Sequence, residues 1–359
     1  MRVLLVSNVG PGDPGGRAEK LTSRADLMAE RGVETVFGTV PEPYVRTFLP
    51  RILTLARRGR REDVDAVVSV SNPFHLQLVG YAVSRLVGVP WVVEFRDPMV
   101  ASPDRDPDAL LTKVAAAVER LAVTHSALVV WGDGSQIPDG YYVDRYDVDE
   151  KRVHKLPFHG YDPAAFEGVD PVEYDQFTVT YAGSFYDGWI EPYAFIEGLE
   201  RFVDEGRDLR VQFYGDWNED YQRAVEDAGI EDIVETHEFV PHEEVVPVLK
   251  GSDAVLYVGG TDPQNRRNVP SKIWDYVGAR TPILAVVDPA FRVADLIHQH
   301  DLGLVVDPRN PTEIADALER MYEGEYEYDP PQSTFERFTR DRKVEAYADL
   351  LCDLDPSPS

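Results

Sequence analysis

Asn268-Val-Pro-Ser-Lys-Ile-Trp-Asp-Tyr-Val-Gly-Ala-Arg-Thr-Pro282 is the stretch on which the reading of this chain turns. An apolar run, Ala254-Val-Leu-Tyr-Val258, precedes it and reads as a buried strand, followed by a polar loop from Gly259 to Asn268. Pro270 and Ser271 then read as a helix start. Proline is tolerated in a first turn, and a serine hydroxyl can accept from the free N–H groups there. Ile273, Trp274 and Val277 recur at helical spacing and give the helix a buried side. Lys272 and Asp275 fall three apart, close to one face, and Arg266 and Arg267 lie just upstream. Three cations, one carboxylate and a helix N-terminus thus converge beyond the C-terminal end of a strand. Open α/β sheets take ligands at that edge, and helix starts favour anions. An ordinary capped helix behind a solvated loop would give the same pattern.

The chain has 359 residues, of which 43% are hydrophobic, enough for the cores of two domains. Its charge is 36 − 64 = −28, with 29 Arg against 7 Lys and carboxylates spread along the whole length. That balance points to a surface adapted to high salt rather than to an ordinary acidic enzyme, because close screening tolerates self-repulsion. The same field disfavours nucleic acid as a partner. A single cysteine, Cys352, excludes an intrachain disulfide. No apolar run reaches membrane-spanning length. The opening run Met1–Ser7 reads as a strand and is too short for a signal peptide, so a cytoplasmic location is expected.

Strand and helix alternate along both halves. In the first, Val3–Val6 leads into Asn8–Gly16, a loop of glycine and proline whose Gly15 and Gly16 stand before a helix. Glycines there let backbone approach a phosphate or sugar, although the G-x-G-x-x-G fingerprint is absent and a merely flexible loop reads the same. Arg46, Arg51, Arg57, Arg58, Arg60 and Arg61 form the one cationic cluster of the acidic chain. They are either a solvated face or a docking site for an anionic acceptor or lipid headgroup. Two polar clusters stand where strands end, Ser71–His75 and Glu94–Pro98. His75 could be a base or a capping residue. Arg96 and Asp97 could be catalytic or a structural ion pair. In the second half, Gly183 and Ser184 follow one strand and Gly215 another. A polar, turn-rich segment at 167–176 marks the linker. The pattern predicts two Rossmann-like, doubly wound parallel-sheet domains, 1–166 and 177–330, facing a central cleft. A last helix over 334–351 is expected to pack back on the first domain.

With these stretches read, the chain resembles the GT-B glycosyltransferases, specifically the retaining enzymes of glycosyltransferase family 4. Ser71-Asn72-Pro73 with Val89–Pro98 resembles the paired first-domain segments. Leu156–Asp162 with Phe166 resembles the inter-domain segment, with His159 at the family's Asn position. Tyr181-Ala-Gly-Ser184 resembles the start of the donor domain, and Val269–Tyr276 with Thr281-Pro282 the donor motif.

That resemblance implies transfer of a sugar from a nucleoside diphosphate to an acceptor hydroxyl, in surface glycan or glycoconjugate synthesis, without a bound metal or other cofactor. Asp275 would hold the ribose hydroxyls. Lys272, Ser271 and the helix start would face the diphosphate, with Gly183, Ser184 and Gly215 beside it. Gly15 and Gly16 would approach the donor from the first domain, and His75 and His159 would fall on the acceptor side. The acceptor would be a glycan or a lipid-linked molecule, with peripheral membrane contact through Arg46–Arg61 on the cytoplasmic face. The pattern departs from the family in three places. Arg267 stands where the family has the first Glu of its E-x7-E pair. Gly183–Gly188 lacks the usual Arg and Lys, which moves phosphate binding to Arg266, Arg267 and Lys272. Arg96-Asp97 replaces the usual catalytic His, so the catalytic group is expected among Arg96, Asp97 and Lys272. A nucleotide-sugar epimerase of the same architecture and a non-catalytic sugar-nucleotide binding protein remain as alternatives.

Overall fold

The computed structural model describes all residues except 15, 41–43, 72, 97, 101–105, 107, 133–136, 157–159, 204–206 and 355–359. The chain divides into two compact units, Met1–His159 with Asp341–Ser359, and Gly160–Arg340. The division falls ahead of the expected boundary at 166. Tyr161 and Phe166 belong to the core of the second unit. The turn-rich segment after them is bound there too, through Val172 N–H to the Pro247 carbonyl at 2.9 Å.

In the first unit the order is β1 (Arg2–Ser7), α1 (Gly16–Glu30), β2 (Glu34–Thr39), α2 (Tyr44–Arg61), β3 (Ala66–Val70), α3 (Leu76–Val87), β4 (Trp91–Phe95), α4 (Leu110–His125), β5 (Leu128–Gly132), α5 (Tyr141–Tyr146) and β6 (Val153–Leu156). The strands form a parallel sheet in the order β2-β1-β3-β4-β5-β6. β3 and β4 are buried at every residue, as central strands are when helices cover both faces, with Ser69 and Glu94 their only polar members. On one face, residues of α2, α3, α4 and α5 join the core around Trp91 and Phe95. On the other, Leu21 and Met28 of α1 pack with Val3, Leu5 and Val68.

The second unit runs β7 (Phe177–Gly183), α6 (Tyr193–Phe202), β8 (Leu209–Gly215), α7 (Glu219–Asp227), β9 (Val234–His237), α8 (His242–Gly251), β10 (Ala254–Gly260), α9 (Lys272–Ala279), β11 (Ile283–Val287), α10 (Arg292–Gln299), β12 (Gly303–Val306), α11 (Pro311–Tyr322) and α12 (Gln332–Arg337). Its sheet is parallel, in the order β12-β11-β10-β7-β8-β9. After β7 the chain winds outward to β9, then returns through α8 to place β10 on the other side of β7. The strand order therefore reverses between β7 and β10, and a crevice opens at such a reversal.

The last helix is two helices. α12 stops at Arg337 and α13 (Arg340–Cys352) begins afresh. The cause is Tyr161: its N–H donates to the Phe338 carbonyl at 3.2 Å and its carbonyl accepts from Arg340 N–H at 2.7 Å. Backbone groups committed to Tyr161 cannot continue a helical ladder. α13 supplies Val344, Tyr347, Ala348 and Leu351 to the core of the first unit.

Candidate functional site

Of the predicted donor residues, Gly183, Ser184, Gly215 and Lys272 lie together at the strand reversal in the second unit. Tyr276, fully buried on α9, ties the middle of β10 to the end of β7: its hydroxyl donates to the Leu256 carbonyl at 2.9 Å and accepts from Ala182 N–H at 3.2 Å. One turn earlier, Lys272 reaches back to the end of β7. Its Nζ donates to the Tyr181 hydroxyl at 2.7 Å and sits 4.0 Å from the centre of that ring. The Tyr181 hydroxyl in turn donates to the Ser184 carbonyl at 2.7 Å. Burial lowers the Lys272 pKa to about 7. A cation is thus held half-buried over an aromatic face, with no carboxylate paired to it among the described residues.

Gly183 and Gly215 are glycine for a reason visible here. Gly183 has φ +140°, and a β-carbon on it would lie 2.5 Å from Lys272 Nζ. Gly215 has φ +132°, and a β-carbon on it would overlap the Gly183 carbonyl. The two strand ends meet backbone to backbone, leaving bare main chain beside the lysine. Phe239 closes this corner. It is 61% exposed, and its ring tip is 3.5 Å from where a Gly215 side chain would start.

Asp275 turns to a different neighbour from Lys272. His242, the first residue of α8, places Nε2 3.0 Å from Asp275 Oδ1. The hydrogen bond to Asp275 raises the His242 pKa, as does the aspartate's charge, against opposing burial. Phe166 braces α9 behind this pair, its ring lying where a side chain on Gly278 would be. Ser271 departs from the expectation of a capping hydroxyl. It already has helical dihedrals, φ −61° and ψ −30°, and its side chain caps no N–H group. A cap must sit one residue outside the helix, in extended conformation. Arg266 and Arg267 stay exposed on the loop, and the Arg266 carbonyl accepts from Arg292 N–H at 2.8 Å. Asn265 holds that loop in place through its amide on the Gly259 carbonyl at 3.1 Å.

In the first unit, Arg96 belongs to a buried ion cluster. Glu94, with a fully buried side chain, accepts from Arg96 Nε at 3.0 Å and from Arg24 at 2.9 Å. The Tyr347 hydroxyl of α13 donates to the same carboxylate at 3.2 Å. Burial alone would raise the Glu94 pKa; the charges and hydrogen bonds of Arg24 and Arg96 outweigh it and hold it at about 2. Arg96 thus pairs with Glu94, two residues back; Asp97 lies outside the described residues, as do Gly15 and His159. Gly16 opens α1, and the following Arg17 donates to the Ser71 carbonyl at 3.0 Å. His75 stands at the start of α3 with its ring 6.0 Å from that of Phe48 and 6.1 Å from Phe74. Among the described residues, no group of three His, Cys, Asp or Glu side chains could hold a metal ion.

Three residues here escaped the sequence reading. His242 is 33 residues from Asp275 along the chain. Tyr181 is 91 residues from Lys272, and Phe239 meets Gly215 only through the fold. Only the fold brings them to the lysine, the glycines and the aspartate.

The arrangement has counterparts. The family described as Glycosyl transferases group 1 matches residues 176–324. Among curated proteins none matches the chain by sequence. Among solved structures, Anabaena Alr3699/HepE in complex with UDP is similar, with 16% identity over 99% of this chain and 100% of that one, TM-score 0.69. A glycosyltransferase from Rickettsia africae ESF-5 is similar at 11% identity over 98% of both chains, TM-score 0.67. The lipopolysaccharide outer core galactosyltransferase WaaB in its apo form is similar at 14% identity over 98% of this chain and 100% of that one, TM-score 0.64. Residues 176–324 thus match the Glycosyl transferases group 1 family, and the chain as a whole has the GT-B fold.

Proposed function

We propose that this protein is a metal-independent, retaining glycosyltransferase that moves a sugar from a nucleoside diphosphate to an acceptor hydroxyl. The observation that carries the reading is Lys272, a half-buried cation with no paired carboxylate among the described residues, set against bare glycine backbone at the strand reversal of the second unit. A leaving diphosphate gathers negative charge as the glycosidic bond breaks, and a cation with N–H groups aimed at it stabilises that state. Asp275 takes the ribose hydroxyls, and the exposed Phe239 ring offers a face to the base. Similarity to HepE, solved with UDP and with UDP-glucose, supports this choice of donor class. Similarity to WaaB supports a role in surface glycan synthesis.

The test is donor binding by Asp275→Ala. Loss of a hydrogen-bonded carboxylate is expected to weaken the preferred nucleoside diphosphate about 10- to 100-fold, as for hydrogen bonds to charged groups. Activity is expected to survive EDTA. Unchanged affinity for UDP, GDP, ADP and dTDP alike would overturn the assignment, and activity lost to EDTA and restored by a divalent ion would overturn the metal-free mechanism.

The acceptor side we assign to the first unit, at a lipid surface. No described helix is long and apolar enough to cross a membrane. α2 instead exposes Leu49 and Leu53 beside Arg57, although Arg51 and Arg58 spend their guanidinium groups on the Thr39 and Phe37 carbonyls. Apolar side chains with cations on one helix suit an anionic interface. Co-flotation with anionic vesicles, reduced by Leu49→Ser with Leu53→Ser, is expected; flotation indifferent to both changes would remove α2 from this role.

A further inference from the structure

His242 is unaccounted for by the donor site as described. It is half-exposed, at the very start of α8, and its Nε2 meets Asp275 Oδ1 at 3.0 Å. Capping does not explain it. A helix start disfavours positive charge, and the residue before it, Pro241, makes no side-chain cap. Stapling α8 to α9 does not explain it either. Val245, Val246 and Leu249 already pack in one core with Ile273 and Val277, and a half-exposed ion pair adds little to such a contact.

Its surroundings fix the imidazole's direction. The Phe166 ring stands edge-on at 6.2 Å. The other charged groups that act on it are Arg340 and Asp162, which pair with each other at 3.2 Å. Asp275 is the partner it touches. Among the described residues only Oδ1 of this carboxylate is engaged, which leaves Oδ2 open.

We infer that His242 is a positioning residue for Asp275: its Nε2–H fixes Oδ1 and so aims Oδ2 at the vicinal hydroxyls of the donor's ribose. This rests on the reading of Asp275 as the ribose acceptor. A carboxylate pinned by one oxygen loses less freedom when the second is engaged, so binding gains from the prior contact. The effect falls on the ribose and leaves the diphosphate grip at Lys272 unaltered.

The experiment compares the ribo- and 2′-deoxy forms of UDP, GDP and ADP on wild type, His242→Ala, His242→Gln and Asp275→Ala. In His242→Ala the preferred ribonucleotide is expected to bind about fivefold more weakly, the size of one hydrogen bond. Its 2′-deoxy form should lose less, so the ribo-to-deoxy preference shrinks. His242→Gln, whose amide can donate to Oδ1, is expected to restore most of that preference. An unchanged preference in His242→Ala, with a lowered melting point only, would show a structural staple and overturn the inference. Asp275→Ala separates the two levels. If it leaves binding unaltered, the ribose assignment itself fails; if it abolishes the preference while His242→Ala does not, only the role of His242 fails.

Discussion

Lys272→Met is expected to lower kcat/KM for sugar transfer by about 10²- to 10³-fold, the scale seen when one donor to a developing oxyanion is removed. The melting point should hold or rise by a few degrees. The two outcomes have one cause. Burial brings the Lys272 pKa from its ordinary 10.5 to about 7. Between pH 7 and 10.5 the unfolded chain keeps a proton that the folded one gives up, so this group opposes folding there and its contribution improves as pH rises. Methionine fills the stem's place over the Tyr181 ring and removes the buried ammonium.

Binding has the opposite sign. The anion meets the ammonium form, which the free protein loses as pH rises through about 7. Donor affinity is therefore expected to be highest below pH 7 and to fall above it, by up to about tenfold per pH unit, with a proton taken up on binding. Titrations in buffers of different ionisation enthalpy measure that proton. Lys272→Met should lose both the slope and the uptake. A variant that keeps wild-type kcat/KM would place the diphosphate grip elsewhere.

Glu94→Gln should cost the first unit about 3–5 kcal/mol, because breaking a buried pair leaves its partners uncompensated. Arg24 is left with 12% of its side chain exposed and Arg96 with 24%, and the anchor for Tyr347 of α13 is weakened. Thermal or urea unfolding of the full chain reads the loss. Its pH window follows from the depressed pKa. The contribution is complete above the ordinary carboxylate value of 4.5 and drains away as pH falls towards about 2. Molar salt should change it little, since a desolvated cluster is poorly screened. A loss below about 1 kcal/mol would mean that the cluster behaves as an exposed surface pair.

The alternation of strand and helix was legible because both faces of each sheet are covered. That forces strands such as Ile283–Val287 to be apolar throughout, Ala66–Val70 to be apolar but for Ser69, and helices to show an apolar side. α9 was legible for the same reason, and Lys272 with it, since a lysine at the mouth of a helix behind a strand is a local pattern. What local pattern cannot carry is which neighbour a side chain turns to. Lys272 and Asp275, three residues apart, go to Tyr181 and His242, 91 and 33 residues away. For Arg96 and Asp97 the sequence left a catalytic role and an ion pair open; the fold adds that Arg96 meets Glu94, which Tyr347 reaches from 253 residues away. The break in the last helix has no signal in its own residues either. It is imposed by the backbone of Tyr161.

The most direct test is calorimetric titration of UDP, GDP, ADP and dTDP into the full chain in molar salt, for wild type, Lys272→Met and Asp275→Ala side by side. The account predicts that at least one diphosphate binds wild type, and that each substitution weakens it at least tenfold while the melting point of Lys272→Met is retained. Binding of equal strength to all three proteins, or to none, would contradict a nucleoside-diphosphate site at the strand reversal of the second unit.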